Sequence, residues 1–173
     1  RLIEWYDSAS LRLISAREPG IPPAARAAIW CEQEVPEGRE DDLPMAWPEA
    51  LEASDAVVDD TLFASDDASL ERPRRMRHAV PAGVNERVVR NGMPKVGTDC
   101  SVPDAGLRDM MAAYAAVPGE TVLFGHVGDN HLHLNMFPDT PEALRVAQAT
   151  YRDLARRAVS SGGSVSAEHG IGK

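Results

Sequence analysis

The run Gly125-His-Val-Gly-Asp-Asn-His-Leu-His-Leu-Asn135 constrains this chain more than any other. Apolar and polar residues alternate on either side of Asp129-Asn130, and Asp and Asn tolerate the left-handed backbone of a tight turn. The pattern predicts a β-hairpin. With a two-residue turn at Asp129-Asn130, His126 is expected opposite His133, Val127 opposite Leu132, and Gly128 opposite His131. Side chains alternate along a strand, so His126, His131, His133 and Asn135 share one face. Val127, Leu132, Leu134 and Met136 share the other, which is apolar and should meet helices. Directly opposed residues have Cβ atoms about 4.5–5.5 Å apart. Two imidazoles at that spacing can converge on one cation, each nitrogen ~2.0–2.1 Å from it. The same pattern also admits a cation-free catalytic pair or an idle polar surface.

The hairpin sits in a readable frame. Lys95 to Val102 is strand-like. Pro103 opens a helix at a tolerated position, and Leu107, Met110, Met111 and Tyr114 form its apolar stripe. Pro118-Gly119 ends it. Glu120 to Val127 and His131 to Phe137 are strands. Pro141 starts a second helix with Leu144, Ala147, Tyr151, Leu154 and Ala158 on one face, and Ser161-Gly-Gly163 closes it. Ser164 to Ala167 is short and extended. The order is β-α-β-β-α-β, the split βαβ or ferredoxin-like arrangement of the α+β class. Its helices should pack on one face of an antiparallel sheet, leaving the other free for a partner or a site.

Before Lys95 the alternation is similar but degraded. A helix is expected from Ser8 to Ala16, a break at Pro22-Pro23 and a strand from Ala27 to Val35. A charged loop from Pro36 to Pro44, a helix from Pro48 to Ser54 and a short strand from Val57 to Phe63 follow. Ala68 to Arg90 is helix-compatible, but Pro73 and Pro81 should break or kink it. Residues 1–93 thus read as the first part of the domain, which could be an incomplete second ferredoxin-like copy. Residues 94–173 are the half that carries the motifs.

A chain of 173 residues supports one core or two small subdomains sharing one. Its net charge of -9 argues against a nucleic-acid partner. The acidic excess between Glu32 and Asp67 reads as a solvated face or loop. No apolar run reaches the ~20 residues of a membrane span, and no signal peptide is visible. Cys31 and Cys100 lack CxxC spacing, so reduced thiols and a cytoplasmic setting are expected. A start at Arg1 and a stop at Lys173 suggest a fragment of a longer protein.

A second motif, Gly162-Gly-Ser-Val-Ser-Ala-Glu-His-Gly-Ile-Gly172, is bounded by glycines that let the backbone approach a ligand closely. Glu168 and His169 are adjacent and should point apart, so one can ligate a cation while the other addresses substrate. Two histidines and one carboxylate make an ordinary three-ligand set with a position left open. Alone, the segment reads equally as an exposed Ser/Gly-rich connector.

The two motifs together resemble the C-terminal domain of FAD-linked oxidases of the vanillyl-alcohol oxidase superfamily, nearest the D-lactate, glycolate and D-2-hydroxyglutarate dehydrogenases. Arg77-His-Ala-Val-Pro81 and Lys95-Val-Gly-Thr-Asp99 through Pro103 add to the likeness, which runs from about Ala27 to Lys173. Similar sequences often read GDGNLH where this chain has Gly128-Asp-Asn-His-Leu-His133, a departure that bears on the turn and on His131. The resemblance implies an N-terminal FAD-binding domain in cis, absent here, with the present domain capping the flavin. It implies His126, His133 and Glu168 as ligands of a divalent metal (zinc, manganese or iron) and His169 as the catalytic residue taking a proton from the substrate's 2-hydroxyl. Arg77, Lys95 and Asn135 would be substrate-binding. The substrate would be a small 2-hydroxy acid oxidised to the 2-oxo acid, with a separate electron acceptor.

General chemistry suits those roles. A 2-hydroxy acid can chelate one cation, a Lewis acid eases deprotonation of its hydroxyl, histidine titrates in the useful range, and an arginine fork matches a carboxylate. On residue type alone, Arg77 and Lys95 read equally as solvated surface cations. Without a phosphate-cradling glycine loop ahead of a helix, the isolated chain is expected to bind FAD poorly or not at all and to be inactive. The competing classes are a metal-dependent hydrolase using the same three ligands, and a non-catalytic ferredoxin-like metal-binding or dimerisation module.

Overall fold

A computed structural model describes residues 2–38, 42–54 and 56–170. The expected glycine at Gly172 and part of the Pro36–Pro44 loop lie outside the described residues. The chain runs β1 (Leu2–Asp7), α1 (Ser8–Ile14), β2 (Ala27–Glu32), α2 (Asp42–Glu52), α3 (Asp67–Asn91), β3 (Val96–Gly97), β4 (Cys100–Ser101), α4 (Asp104–Ala115), β5 (Thr121–His126), β6 (His131–Met136) and α5 (Pro141–Ser160). Single 3-10 turns occupy Val58–Asp60 and Val127–Asp129.

The six strands form one antiparallel sheet in the order β2-β1-β5-β6-β3, with β4 also on β6. This is an α+β fold. From Val96 onward the ferredoxin-like order is present: β3 and β4 lie end to end along β6, and β6 pairs with β5. The expected last strand is reduced to one bridge, Ser101 with Ser164. Leu2–Asp7, to which the pattern gave no element, is the strand that adds to the outer side of β5 and carries β2 beyond it.

The sheet has two covered faces, not one. On the first, Leu123, Leu132, Leu134, Met136 and Cys100 pack with Met110 and Tyr114 of α4 and Ala147, Leu154 and Ala158 of α5. These are the apolar stripes expected of both helices. On the second, Tyr6, Val122 and Phe137 pack with Leu11 and Ile14 of α1 and Val80 and Val84 of α3. The N-terminal helices therefore cover part of the face expected to be free, and the end where β5 stops and β6 begins remains for the histidines.

Three other expectations are corrected. Val57–Phe63 contains a 3-10 turn, not a strand; Asp59 and Asp60 follow Val57 and Val58 with no alternation to give it an inward face. α3 is one helix through Pro73 and Pro81. Each proline removes a helical hydrogen bond at a cost of about 3 kcal/mol, which the burial of Val80 and Val84 and the Asp66–Ser69 capping box help to offset. Finally, β2 ends at Glu32 rather than Val35.

Local chemistry sets the helix ends. Asp7 accepts from Ser10 N–H at 2.6 Å to start α1, and Thr140 accepts from Ala143 N–H at 3.1 Å to start α5. Gly92 ends α3 at φ 67°. Gly163 is held closest against backbone among the described glycines: a Cβ there would lie 2.1 Å from the Ser101 carbonyl oxygen. That close approach lets Ser164 pair with β4 and aims the following loop at the sheet. Gly163→Ala is expected to destabilise the protein by about 1–3 kcal/mol and to expose the Ser101 and Ser164 amides to exchange. Thermal melts and amide hydrogen exchange check this.

Candidate active site

The strand register places side chains in rows across the second face. Tyr6, Phe124 and His133 make one row; His126, His131 and Ser101 make the next. Val122, Asn135 and Gly97 make a third. His126 is thus opposite His131, not His133, and His133 is opposite Phe124. The connection is longer than the expected two residues because Val127–Asp129 form a 3-10 turn and Asn130 takes φ 53°. The register moves by two, an even number, so His126, His131, His133 and Asn135 still share a face. Asn130 adopts a left-handed conformation that asparagine tolerates, its side-chain amide donating to Asp104 at 2.5 Å.

His126 and His133 are diagonal neighbours with ring centroids 6.2 Å apart. The C-terminal loop brings Glu168 over both: its Oε2 lies 3.7 Å from His126 Nε2 and 3.6 Å from His133 Nε2. One ligand atom from each of the three residues fits within 4.8 Å of the others. Two donors held ~2.1 Å from one tetrahedral ion sit about 3.4 Å apart, so the spacing matches a shared cation.

Two backbone neighbours fix the state of the His133 ring. Thr98 N–H donates to the Leu134 carbonyl at 2.9 Å, but Leu134 N–H donates to the Thr98 hydroxyl at 3.0 Å instead of to its carbonyl. The freed Thr98 carbonyl lies 3.3 Å from His133 Nδ1. A carbonyl can only accept, so Nδ1 carries the proton and Nε2 keeps its lone pair toward Glu168. Burial, then the neighbouring His131, lowers the His133 pKa below its ordinary value. The ring is thereby kept neutral, as a metal ligand must be.

Asp99, in the break between β3 and β4, organises the rest. One oxygen is 2.8 Å from His131 Nε2; the other accepts the Glu168 N–H at 3.2 Å and the His169 N–H at 2.9 Å. Its backbone carbonyl accepts Ala167 N–H at 3.0 Å. Burial raises the Asp99 pKa, but the two backbone N–H groups and His131 outweigh it and hold the carboxyl below its usual range. His131, whose role the turn sequence left open, is a partner of Asp99. Asp99, His131 and His133 could also group around an ion, yet the Asp99–His131 hydrogen bond already accounts for that contact.

Lys95 Nζ donates to Asn135 Oδ1 at 2.5 Å, and Asn135 Nδ2 donates to the His133 carbonyl at 3.2 Å. Asn135 is only 1% exposed. Desolvation lowers the Lys95 pKa, although the residue reaches the surface. Arg77 of α3 is turned to Glu4, with Nε at 2.8 Å and Nη2 at 2.7 Å from its Oε1. His169 lies at the mouth, its ring 5.2 Å from His133 and its side chain largely exposed. All seven expected residues therefore lie on or beside one face, though Arg77 is not free and Lys95 and Asn135 sit one row away from the ligand cluster.

Pattern reading missed Asp99 and Glu4 as site residues. Glu4 interrupts the apolar run Leu2-Ile-Glu-Trp-Tyr6, the signal of an inward carboxylate had that run been recognised as a strand. Asp99 lay within the quoted Lys95–Asp99 run, but its partners come from elements distant in sequence. A cavity of about 630 Å³ opens beside His126, His131 and Glu168 and is lined also by Ser101, Ser164 and Ser166. The larger cavity, about 720 Å³ between α1 and α4, contains none of the candidate residues.

A family model described as FAD linked oxidases, C-terminal domain, matches residues 2–173.

Asp99 couples the loop to pH. Its folded pKa is depressed, so its contribution is complete above the ordinary value of 3.8 and is lost as pH falls through the folded value. Protection of the Glu168 and His169 amides should fall in that acidic window in the wild type. In Asp99→Asn the depressed titration is absent, and protection at neutral pH should already be at least tenfold lower, about 1.4 kcal/mol. Amide exchange by NMR or mass spectrometry checks both.

Proposed function

The chain belongs to the C-terminal domains of FAD-linked oxidases, and from that premise we propose that it forms the substrate- and metal-binding side of a flavin-dependent dehydrogenase acting on a small 2-hydroxy acid. The family makes the parent protein an FAD-dependent oxidoreductase. The observation carrying the finer reading is the convergence of His126, His133 and Glu168, with ligand atoms within 4.8 Å of one another. The donor chemistry fits a divalent cation of the zinc, manganese or iron type: two imidazoles, one with Nδ1 directed at a backbone carbonyl so that Nε2 keeps its lone pair, and one carboxylate. Such an ion supplies Lewis acidity that eases loss of the substrate's hydroxyl proton. FAD, held mainly by a domain in cis, supplies the hydride acceptor.

The remaining steps belong to this chain's own side chains. Lys95 and Asn135, joined by their hydrogen bond, offer a cation and an amide for the substrate carboxylate. Arg77 has no contact through Nη1 among the described residues, while its other edge holds Glu4. His169 is exposed beside the ligand cluster with its backbone fixed by Asp99. It is thus free to receive the hydroxyl proton at an imidazole nitrogen and pass it to solvent. The hydrolase reading would require no flavin domain and loses its support with family membership.

The test uses the full-length protein. Wild type should retain about one divalent ion per chain, measured by elemental analysis, and lactate, glycolate or 2-hydroxyglutarate should bleach its flavin. His126→Ala and His133→Ala should lose the ion. His169→Ala should keep it and slow flavin reduction by about 10²–10⁴-fold. Unchanged metal content in both ligand variants would remove the assignment, and failure of all three acids to reduce the flavin would remove the substrate class.

A further inference from the structure

His126 presents a problem that its strand does not solve. Its Nε2 points to Glu168, 3.7 Å away, but its Nδ1 is the buried side-chain polar atom left without a hydrogen-bond partner among the described residues. A neutral imidazole that gives Nε2 to a cation must carry its proton on Nδ1. A buried N–H of that kind needs an acceptor.

Glu4 is the group that Nδ1 faces. Its Oε1 lies 3.4 Å from His126 Nδ1, and its side chain is only 6% exposed. The carboxylate is fixed from two other sides: the Arg77 fork lies on Oε1, and the Tyr6 hydroxyl donates to Oε2. Tyr6 is itself anchored by stacking on Phe124, with ring centroids 6.3 Å apart and planes at 7°. A movement of about 0.5 Å, with a turn of the ring that brings Nδ1–H into line with Oε1, makes the Glu4–His126 contact a charge-assisted hydrogen bond of ~2.7–2.9 Å.

Resting on the cation reading above, we propose that Glu4 is the positioning carboxylate of His126: it accepts a hydrogen bond from Nδ1–H and so fixes the tautomer and ring orientation that aim Nε2 at the ion. Outer carboxylates acting on a ligating imidazole in this way typically carry 10–100-fold in metal affinity. Glu4 also joins the ligand ring to Arg77, so α3 and the ligand cluster are held in one register by a single side chain. His126 and His133 are then oriented by different means, the first by a carboxylate from β1 and the second by the Thr98 carbonyl.

The experiment measures Zn²⁺ affinity of the full-length protein by competition with a chromogenic chelator, for wild type, Glu4→Ala and Glu4→Gln. Glu4→Ala should bind Zn²⁺ about 10–100-fold more weakly. Glu4→Gln, isosteric and still able to accept a hydrogen bond from Nδ1–H through its amide oxygen, should fall between the two. Co²⁺-loaded Glu4→Ala should show shifted ligand-field absorption bands, a readout that mere loss of stability does not move. Glu4→Gln keeps the test open should Glu4→Ala fail to fold. Wild type that binds Zn²⁺ with folded variants matching it within twofold would overturn the Glu4 assignment alone. Wild type that takes up no Zn²⁺ would overturn the cation reading and this assignment with it.

Discussion

The arrangement of the site depends on one interrupted ladder position. Where Thr98 should exchange two backbone hydrogen bonds with Leu134, its hydroxyl takes the place of its carbonyl. That substitution stops β3 and starts β4 without changing the register along β6. It turns the Thr98 carbonyl to His133 and leaves Asp99 able to reach both His131 and the C-terminal loop. An unbroken strand would lose the carbonyl contact that fixes the His133 tautomer. A strand broken by a bulge would slip the pairing and move the histidines. The threonine hydroxyl avoids both outcomes.

Around that position the fold separates apolar work from polar work. The α4–α5 face is a continuous core in which Leu132, Leu134 and Ala158 are essentially inaccessible. The opposite face is divided along its strands: α1 and α3 close one end over Tyr6, Val122 and Phe137, while the other end, where β5 stops and β6 begins, holds imidazoles and carboxylates. Burying so many ionisable groups is costly unless each is hydrogen-bonded. Glu4 meets Arg77 and Tyr6, Asp99 meets two backbone N–H groups and His131, and Lys95 meets Asn135. His126 Nδ1 is the exception, and an exception of that kind belongs at a functional position.

Sequence pattern made the second half of the fold readable. α4, α5, β5 and β6 lie next to proline or glycine and have a clear period, and alternation put four polar residues on the correct face even though the turn was two residues longer than expected; the break at Thr98-Asp99 that divides the expected Lys95–Val102 strand has no such signal. The first half was less legible for identifiable reasons. Leu2–Asp7 carries Glu4 inside an apolar run, which disguises a strand. Pro73 and Pro81 announce breaks that tertiary packing of Val80 and Val84 overrides. Asp99 and Glu4 act on residues far away in the chain, so their partners emerge only when β1, β5, β6 and the C-terminal loop are assembled. Arg77 is expected as a substrate-binding residue only through the family resemblance, and its engagement with Glu4 depends on a contact between α3 and β1 that no local pattern encodes.

The central claim is that His126, His133 and Glu168 serve one ion. The most direct measurement is anomalous diffraction from crystals of the full-length protein soaked with Zn²⁺, collected on both sides of the zinc absorption edge. The account predicts one strong anomalous peak ~2.0–2.2 Å from His126 Nε2, His133 Nε2 and a Glu168 oxygen. A peak elsewhere, or none at those three side chains, would contradict it.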